Sequence, residues 1–426
     1  MRSFNDFVNT VDGIIENGKT CGIVHLFTGR DGITNNRVQL NGKEVVNFGS
    51  CSYLGLEFDE RLKNAAIEAV TRFGTQFSSS RSYVSLGLYA ELEQLFNHIF
   101  EAHCIVTPTT TLGHIATIPI VVDNADAVII DHQVHSSVQT AVSLLKPRGI
   151  HVEMLRHNKM DELEEKIIRL RTNHKNIWYM ADGIYSMYGD TCPTADIERL
   201  LNKYTQFCAY IDDAHGMSWY GKNGKGYVMS QMDLHERMIV GVSLNKSFAA
   251  GGGLMIFPTK DLERKVRNCG GPLIFSGPLQ PANLGAAIAS VKIHMSAEVE
   301  QYQQELWNNI RYTKEVIDEL GLPCVSLGVS PVFFIGVSLP EIAYTVIERL
   351  MDRGHYVNLG IYPAVPMKNT GLRFTITRLH TKAQIEALLT DMKDILDVAI
   401  EAHHFSYEKI YGAFRKTMQL QAQAQI

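Results

Sequence analysis

Five short apolar runs, rich in β-branched and aromatic residues, recur along the middle of the chain, at 127–130, 152–155, 177–180, 209–211 and 239–242. Stretches with helical spacing lie among them, at 160–173 and 194–206, and precede them, at 60–73 and 88–101. Strands that alternate with helices favour a mostly parallel sheet covered by helices on both faces. The predicted fold class is therefore α/β.

The remaining sequence predicts segments on either side of this region. Residues 1–59 read as an N-terminal segment, 60–290 as a large domain, and 291–426 as a smaller C-terminal α/β domain. In the last segment, strands are predicted at 332–337 and 372–377, and helices at 340–353 and 382–400. A long helical pattern over 284–320 leads into it, and the polar end, 419–426, is expected to fray.

Composition excludes several classes of protein. A net charge of −5 and the lack of any Lys/Arg-rich run argue against a nucleic-acid surface. The seven cysteines are scattered and form no C-x-x-C pair, which predicts neither a zinc site nor a disulfide framework and favours a reducing, cytoplasmic location. No apolar run reaches the roughly 18 residues of a membrane span, so we expect a soluble protein without one.

Polar residues directly after the apolar runs form the candidate site, because ligands bind at the carboxyl ends of parallel strands. Asp212 follows the run at 209–211, and His215 comes three residues later. A carboxylate at the end of a buried strand is costly unless it meets a cation. The alternative is an aspartate that only caps the next helix or turn.

Lys246 follows the run at 239–242 and precedes the small residues at 249–253. Its neighbours predict burial, which lowers the pKa of an ammonium group and frees the amine to form an imine with a carbonyl. Ser243 can donate a hydrogen bond to an anion beside it. The alternative is a lysine on an ordinary surface loop.

Two histidines, His132 and His135, follow the run at 127–130, and Asp182 and Ser186 follow the run at 177–180. No carboxylate or cysteine lies near the histidines at a spacing typical of metal ligands, so no metal site is predicted. One histidine lying against an aromatic ligand is the favoured interpretation.

The order of these groups along the chain resembles the α-oxoamine synthase family of fold-type-I pyridoxal-phosphate (PLP) enzymes. The resemblance runs from about Asn47 to Leu389, and its strongest segments are IDDAHG, SLNKSFAAGGG, ADGIYSMYGD, DHQVHSS, SCSYLGL and GLRFTIT. It implies PLP as cofactor and a fold in which a mostly parallel central sheet, flanked by helices, is followed by a smaller C-terminal domain.

The resemblance also implies roles around the PLP ring. Lys246 matches the Schiff-base lysine, and Asp212 matches the carboxylate that pairs with the protonated pyridine nitrogen and so keeps the ring an electron sink. His215 matches the residue bonded to the 3-hydroxyl oxygen, and His135 the histidine stacked on the ring. Ser186 and Asp182 lie in a segment near the cofactor.

For the PLP phosphate, the resemblance implies Ser243 together with Thr109 and Thr110. Pro108 stands where the family has a glycine; proline has no N–H, so threonine hydroxyls are expected to replace the missing donors. The alternative is a helix start with ordinary threonine caps. Ser276 resembles a residue that reaches the phosphate of the neighbouring subunit, which implies a homodimer with shared active sites.

For the substrate, Arg373 matches the arginine that binds the amino-acid carboxylate, a role suited to a planar bidentate donor. The alternative is a surface arginine paired with a glutamate. Ser52 and Ser80 are the other expected substrate contacts; Ser52 replaces an asparagine of the family, and Ser80 lies in a serine-rich segment that replaces a glycine-rich one.

The activity implied is an acyl transfer in which an amino acid condenses with an acyl thioester, of CoA or an acyl-carrier protein, usually with decarboxylation to an α-aminoketone. Lys246 would act as the general base and His135 would assist at the thioester carbonyl. Two alternatives remain: an aminotransferase or aldolase on the same fold, and a catalytically silent partner subunit, which the presence of Lys246, Asp212 and His135 disfavours.

Overall fold

The computed structural model describes residues 4–424 of the chain. Within that range no helix combines the length and the apolar composition needed to cross a membrane. The strands in this range are β1 Thr28–Thr34, β2 Arg37–Leu40, β3 Lys43–Asn47, β4 His103–Thr107, β5 Ala127–Asp131, β6 His151–Leu155, β7 Ile177–Asp182, β8 Phe207–Asp212, β9 Met238–Ser243, β10 Gly253–Phe257, β11 Val332–Ser338, β12 His355–Tyr356, β13 Asn358–Gly360 and β14 Thr370–Thr375.

The α-helices pack around three sheets. They are α1 Phe4–Thr20, α2 Glu60–Phe73, α3 Gly87–Phe100, α4 Thr110–Val121, α5 Ser136–Ser143, α6 Met160–Leu170, α7 Thr194–Lys203, α8 Val228–Gln231, α9 Lys260–Cys269, α10 Gly271–Phe275, α11 Pro281–His294, α12 Glu298–Leu320, α13 Pro340–Asp352, α14 Lys382–Ala402 and α15 Tyr407–Ala424.

The central sheet has seven strands in the order β4-β10-β9-β8-β7-β5-β6. Its five strands β5 to β9 are parallel, and only β10 runs antiparallel to its two neighbours, β9 and β4. The predicted α/β class with a mostly parallel sheet is confirmed. The sequence interpretation missed β4 and β10; β10 follows directly on a run of glycines, which obscures its start.

Helices cover both faces of this sheet. One apolar cluster joins residues such as Leu92 of α3 and Leu200 of α7 to the strands, and a second joins Val138 of α5 and Val266 of α9 to the opposite face. Strands buried on both faces need apolar residues at every position, which explains why they appear in the sequence as continuous apolar runs.

A second sheet joins the two ends of the chain. Its order is β1-β2-β3-β12, and β12 pairs in parallel with β3, so that His355 lies opposite Val46. An ion pair between Lys43 and Asp352 adds to this contact. The N-terminal segment therefore packs on the C-terminal α/β unit, whose own sheet has the order β11-β14-β13. The domain limits at residues 59 and 290 stay predictions.

Two local expectations differ from the structure. The long helical pattern is two helices, α11 and α12, separated at 295–297. The polar end does not fray from residue 419, since α15 continues to Ala424; residues 425–426 lie outside the described range. Buried Ile410, Phe414 and Gln421 anchor α15, and Gln421 Oε1 accepts a hydrogen bond from the Leu327 N–H at 3.0 Å.

Candidate active site

Four parallel strands end in polar residues at one edge of the central sheet. Asp131 ends β5, Asp182 ends β7, Asp212 ends β8 and Ser243 ends β9. All four are buried. The chain direction of a parallel sheet places these ends together, which is the position where α/β proteins bind ligands.

Asp182 and Asp212 are paired residues on adjacent strands, and their environments shift their pKa values in opposite directions. Burial and the charge of Asp212 raise the pKa of Asp182 well above its usual value. Burial also raises the pKa of Asp212, but His114 and then Lys246 outweigh it and hold that pKa below its usual value. The two pKa values are therefore separated, and Asp212 is the member of the pair that more readily carries the negative charge.

His114, on α4, is the principal site residue that the sequence interpretation missed. Its fully buried ring places Nε2 at 2.9 Å from Asp212 Oδ2 and Nδ1 at 2.6 Å from the Tyr210 hydroxyl. Because an ionised carboxylate only accepts, Nε2 must donate to Asp212. A histidine inside the otherwise apolar stretch Leu112–Val122 was the signal that could have indicated it.

Lys246 lies in the loop between β9 and β10. Backbone hydrogen bonds close this loop, from Leu244 N to the Gly252 carbonyl at 3.1 Å and from Ala250 N to the Leu244 carbonyl at 2.9 Å. Lys246 itself is half-buried, which is less than the burial that its neighbours predict. Its charge acts on Asp212, His135 and His215, so the four groups lie within electrostatic reach of one another.

His215 is buried after β8, and its Nδ1 lies 2.7 Å from the Tyr53 hydroxyl. Burial, together with the charges of Lys246 and Arg373, lowers the pKa of His215 well below its usual value, so the ring is neutral. The Trp219 indole N–H donates to the His215 carbonyl at 2.6 Å and fixes the backbone. Tyr53 was not predicted, although it lies in the segment SCSYLGL.

His135 precedes α5 and forms its N-cap. The Ser137 hydroxyl lies 2.6 Å from His135 Nδ1, and the Ser137 N–H donates to the same nitrogen at 3.3 Å. Desolvation by the surrounding protein lowers the pKa of His135, although the charge of Asp212 opposes this, so the ring is neutral. With Nδ1 accepting, the proton resides on Nε2, which leaves a hydrogen-bond donor facing the cleft.

The predicted phosphate residues surround the start of α4. Thr109 caps this helix by accepting the Leu112 N–H at 3.1 Å, and Ser243 Oγ accepts the Asn245 N–H at 3.2 Å; each hydroxyl keeps its own hydrogen to donate. The Thr110 hydroxyl donates to the Val242 carbonyl at 3.3 Å, and its expected role at the phosphate stays a prediction. Gly253, opposite Ser243, approaches so closely that a Cβ would lie 2.6 Å from Thr110 N.

Arg373, on β14, is buried and makes no ion pair with any residue between 4 and 424. Its Nε donates to the Ser186 carbonyl at 2.7 Å, and Nη2 lies 3.7 Å from Cys51 Sγ. The surface arginine paired with a glutamate, the alternative raised from sequence, is therefore excluded. A buried guanidinium without an acidic partner is costly unless an anionic ligand meets it.

The three remaining predicted serines have partners within the chain. Ser52 donates to the Glu57 carboxylate, Ser80 to the Ile274 carbonyl at 2.8 Å, and Ser276 to the Pro272 carbonyl. Each hydroxyl hydrogen is engaged, so the structure holds these serines in place without directing them at the cleft. The roles expected from the resemblance stay predictions.

A cavity of about 990 Å³ adjoins the site. His135 and Ser186 line its inner part, and the segment 362–366 and helix α15 line its outer part. Neither outer element was predicted as part of the site, because neither carries a group at the end of a central strand.

PLP fits the groups that this site leaves unsatisfied. Asp212 is a buried anion suited to a protonated ring nitrogen, and the start of α4, with the Thr109 and Ser243 hydroxyls, suits a phosphate. Ser247, next to Lys246, has a buried hydroxyl that finds no partner among residues 4–424. A lysine beside a buried aspartate at the strand ends of such a sheet defines a fold-type-I PLP-dependent enzyme.

Comparisons with known proteins identify the family to which the chain belongs within this class of enzymes. The family "Aminotransferase class I and II" matches residues 43–391. The 8-amino-7-oxononanoate synthase of Alkaliphilus metalliredigens is 30% identical over 386 residues, which cover 89% of this chain and 95% of that protein.

Two solved structures show the same fold. A serine palmitoyltransferase variant from S. paucimobilis, with a bound PLP–myriocin compound, has a TM-score of 0.83 at 24% identity and covers 93% of this chain and 99% of its own. An 8-amino-7-oxononanoate synthase from Francisella tularensis has a TM-score of 0.70 at 20% identity and covers 84% and 99%.

The chain belongs to the class I and II aminotransferase family and, within it, to the α-oxoamine synthases. It is a PLP-dependent enzyme that condenses an amino acid with an acyl thioester. The aminotransferase and aldolase alternatives are not favoured by these relatives.

Proposed function

We propose that the enzyme joins the α-carbon of an amino acid to the acyl group of a thioester, with loss of CO₂ and release of the thiol, to give an α-aminoketone. The observation that carries this proposal is buried Arg373, which has no ion pair within residues 4–424 and donates from Nε to the carbonyl of Ser186, a residue that lines the same cavity as neutral His135. A carboxylate-bearing substrate satisfies Arg373 by a charge-assisted, bidentate contact.

PLP, when bound, supplies an aldehyde that reacts with amines and a cationic ring that withdraws electrons from the substrate α-carbon. Asp212 would accept the hydrogen bond of the ring N–H, and His114 holds that carboxylate in its ionised form. Lys246 is the proposed base that removes the α-proton. His135 donates its Nε2–H to the thioester carbonyl oxygen, where negative charge develops as the new bond forms.

The other proposed contacts are supported by hydrogen bonds that hold the residues near these groups. His215, held by Tyr53, is placed to bond the cofactor's ring oxygen, and Asp182 fixes the His135 backbone by accepting its N–H at 3.0 Å. The Ser186 carbonyl orients Arg373. The phosphate is assigned to Ser243, Thr109 and the first backbone N–H groups of α4.

The proposal is tested by incubating the holoenzyme with single amino acids, with and without acyl thioesters. We expect release of thiol and CO₂ only when both substrates are present, with one amino acid strongly preferred. Accumulation of a keto acid and pyridoxamine phosphate from the amino acid alone would instead establish an aminotransferase.

Arg373→Lys is the matched variant for this assay. It keeps the charge but loses the planar pair of donors, so the KM for the amino acid should rise by about 10–100-fold. The KM for the thioester should change little. An unchanged KM for the amino acid would remove Arg373 from the proposed carboxylate site.

We further propose that the enzyme is a cytoplasmic homodimer in which Ser276 approaches the partner's cofactor phosphate. Phe275 and Tyr83 support this, since they are 87% and 85% exposed, and the Ser80–Ile274 hydrogen bond links their segments into one surface. All seven cysteines are free thiols, as a reducing compartment requires. Sedimentation equilibrium should give twice the chain mass at micromolar concentration, and a monomer would contradict the dimer.

A further inference from the structure

The outer wall of the cavity is formed by helix α15, near the C-terminal end of the chain. Gly412, Ala413, Lys416, Thr417 and Leu420 line it. They form two rows with a spacing of four, Gly412-Lys416-Leu420 and Ala413-Thr417, and the two adjacent rows lie on one side of the helix. The cavity continues from this face to His135 and Ser186, so that it connects the helix to the candidate active site.

A different face of α15 holds the helix in position. The Phe414 ring packs on Gly336, where a Cβ would meet the ring at 2.6 Å, and on the Phe334 ring, with centroids 6.0 Å apart. Ile410 is buried on the same side. On the face toward the cavity, Asn369 Nδ2 also contacts the Ala413 carbonyl and the Thr417 hydroxyl, each at 3.5 Å, whereas the Lys416 and Leu420 side chains take no part in these anchoring contacts and can serve a ligand.

The cavity wall combines apolar surface with unpaired cations. Val134, Met187, Tyr188 and Leu420 provide apolar surface. Lys368 and Lys416 are exposed at the cavity and form no ion pair within residues 4–424, whereas Arg156, another lining residue, is paired with Glu162. Two unpaired ammonium groups create a positive potential that attracts an anionic group.

We propose that α15 selects the acyl thioester: the apolar wall binds a medium or long acyl chain, and Lys368 and Lys416 bind phosphate groups of the thiol carrier. This inference rests on the proposed function. A cavity of about 990 Å³ is at the upper end of the range for ligand sites, and therefore has room for a chain well beyond two carbons. Each methylene buried on the wall should raise kcat/KM by about fourfold until the wall is filled.

The acyl site is tested with a variant whose larger side chain fills part of the cavity. Gly412→Phe is suitable because a Cβ at Gly412 meets no atom within 4 Å, so the helix can accept the larger side chain. The wild-type enzyme should prefer octanoyl-CoA to acetyl-CoA by at least tenfold in kcat/KM. Gly412→Phe should lower kcat/KM for octanoyl-CoA by about tenfold and leave acetyl-CoA within twofold, with Gly412→Ala as control.

The phosphate site is tested with Lys368→Glu/Lys416→Glu. The KM for octanoyl-CoA should rise at least tenfold, while the KM for octanoyl-pantetheine, which has no phosphate, and that for the amino acid stay unchanged. Octanoyl-4′-phosphopantetheine distinguishes the two sources of phosphate. If its KM also rises in the variant, the lysines bind the phosphate that CoA shares with carrier proteins. If its KM does not change, they bind the nucleotide phosphates of CoA. Arg415→Glu is the matched control, because Arg415 is exposed on the same helix but does not line the cavity.

The outcomes separate the two proposals. A wild-type enzyme that releases thiol from no thioester would overturn the proposed function and this inference with it. A wild-type enzyme that condenses acetyl-CoA as well as octanoyl-CoA, or variants that keep the wild-type preferences, would overturn the role of α15 alone.

Discussion

Lys246→Ala should lower the turnover of the holoenzyme by at least about 10²–10⁴-fold, the usual contribution of a positioned general base. The site offers no replacement base at neutral pH. His215 is buried and bonded to Tyr53, His135 uses Nδ1 to accept from Ser137, and Arg373 is permanently charged. The measurement is thiol release with saturating amino acid and acyl thioester.

Lys246→Arg tests the role of Lys246 as a base separately from its positive charge. Arginine keeps a cation beside Asp212 but does not lose its proton near neutral pH, so this variant should be as inactive as Lys246→Ala. Borohydride reduction of the wild-type holoenzyme should add the mass of the reduced cofactor to the peptide that contains Lys246. Turnover that survives in both variants, or a reduced label on another lysine, would refute the assignment.

His157→Ala should lower the free energy of unfolding by about 3–5 kcal/mol, because it leaves two buried carboxylates without their cation. His157 Nε2 lies 2.5 Å from Asp190 Oδ2, and Nδ1 lies 3.1 Å from Asp131 Oδ1. Burial lowers the pKa of His157, but Asp190 and Asp131 outweigh it and raise that pKa to about 10. The three side chains link the end of β5 to the segment after β6 and to the loop after β7.

This network gives a defined pH dependence. The pKa of His157 is raised above its usual 6.5, so its contribution is complete below about pH 6.5 and is lost as the pH rises through about 10. His157 lowers the pKa of Asp131, although burial opposes this, so the contribution of Asp131 is lost only as the pH falls into the acidic range. Urea unfolding of wild type and His157→Ala at pH 6, 8 and 10 should therefore give a difference that shrinks towards pH 10.

His151→Ala is the matched control for His157→Ala. His151 also contacts a carboxylate, Glu153 Oε1 at 2.7 Å, but its side chain is 44% exposed. Exposed pairs contribute at most about 1 kcal/mol. If the two alanine variants lose the same stability, or if the loss at His157 does not change between pH 6 and pH 10, the buried ion-pair network does not have the assigned role.

The sequence predicts the strand-end groups well because local rules govern them. A strand buried on both faces is a continuous apolar run, and the next polar residue must lie at the sheet edge. Asp182, Asp212 and Ser243 were found in this way, each at the last position of its strand. Lys246 was found by the small residues that follow it, although its half-burial was not.

Groups that depend on distant contacts could not be derived by the same rules. His114 acts on Asp212 from 98 residues earlier in the chain, and Tyr53 reaches His215 across 162 residues. The Thr110 hydroxyl donates to the carbonyl of Val242, 132 residues away. The outer cavity wall follows from how α15 packs on β11, which no local pattern in the last twenty residues indicates.

The parallel pairing of β12 with β3 has a consequence for the order of assembly. The ion pair beside it joins residues 309 positions apart. Closing this sheet therefore costs loop-closure entropy, and the contact forms late in folding. On the ribosome, β1 to β3 emerge early and keep an open edge until most of the protein has been synthesised. The segment that holds β1 to β3 is thus secured only after β12 has been made, and a chain that stops before β12 leaves that edge available for pairing with other molecules.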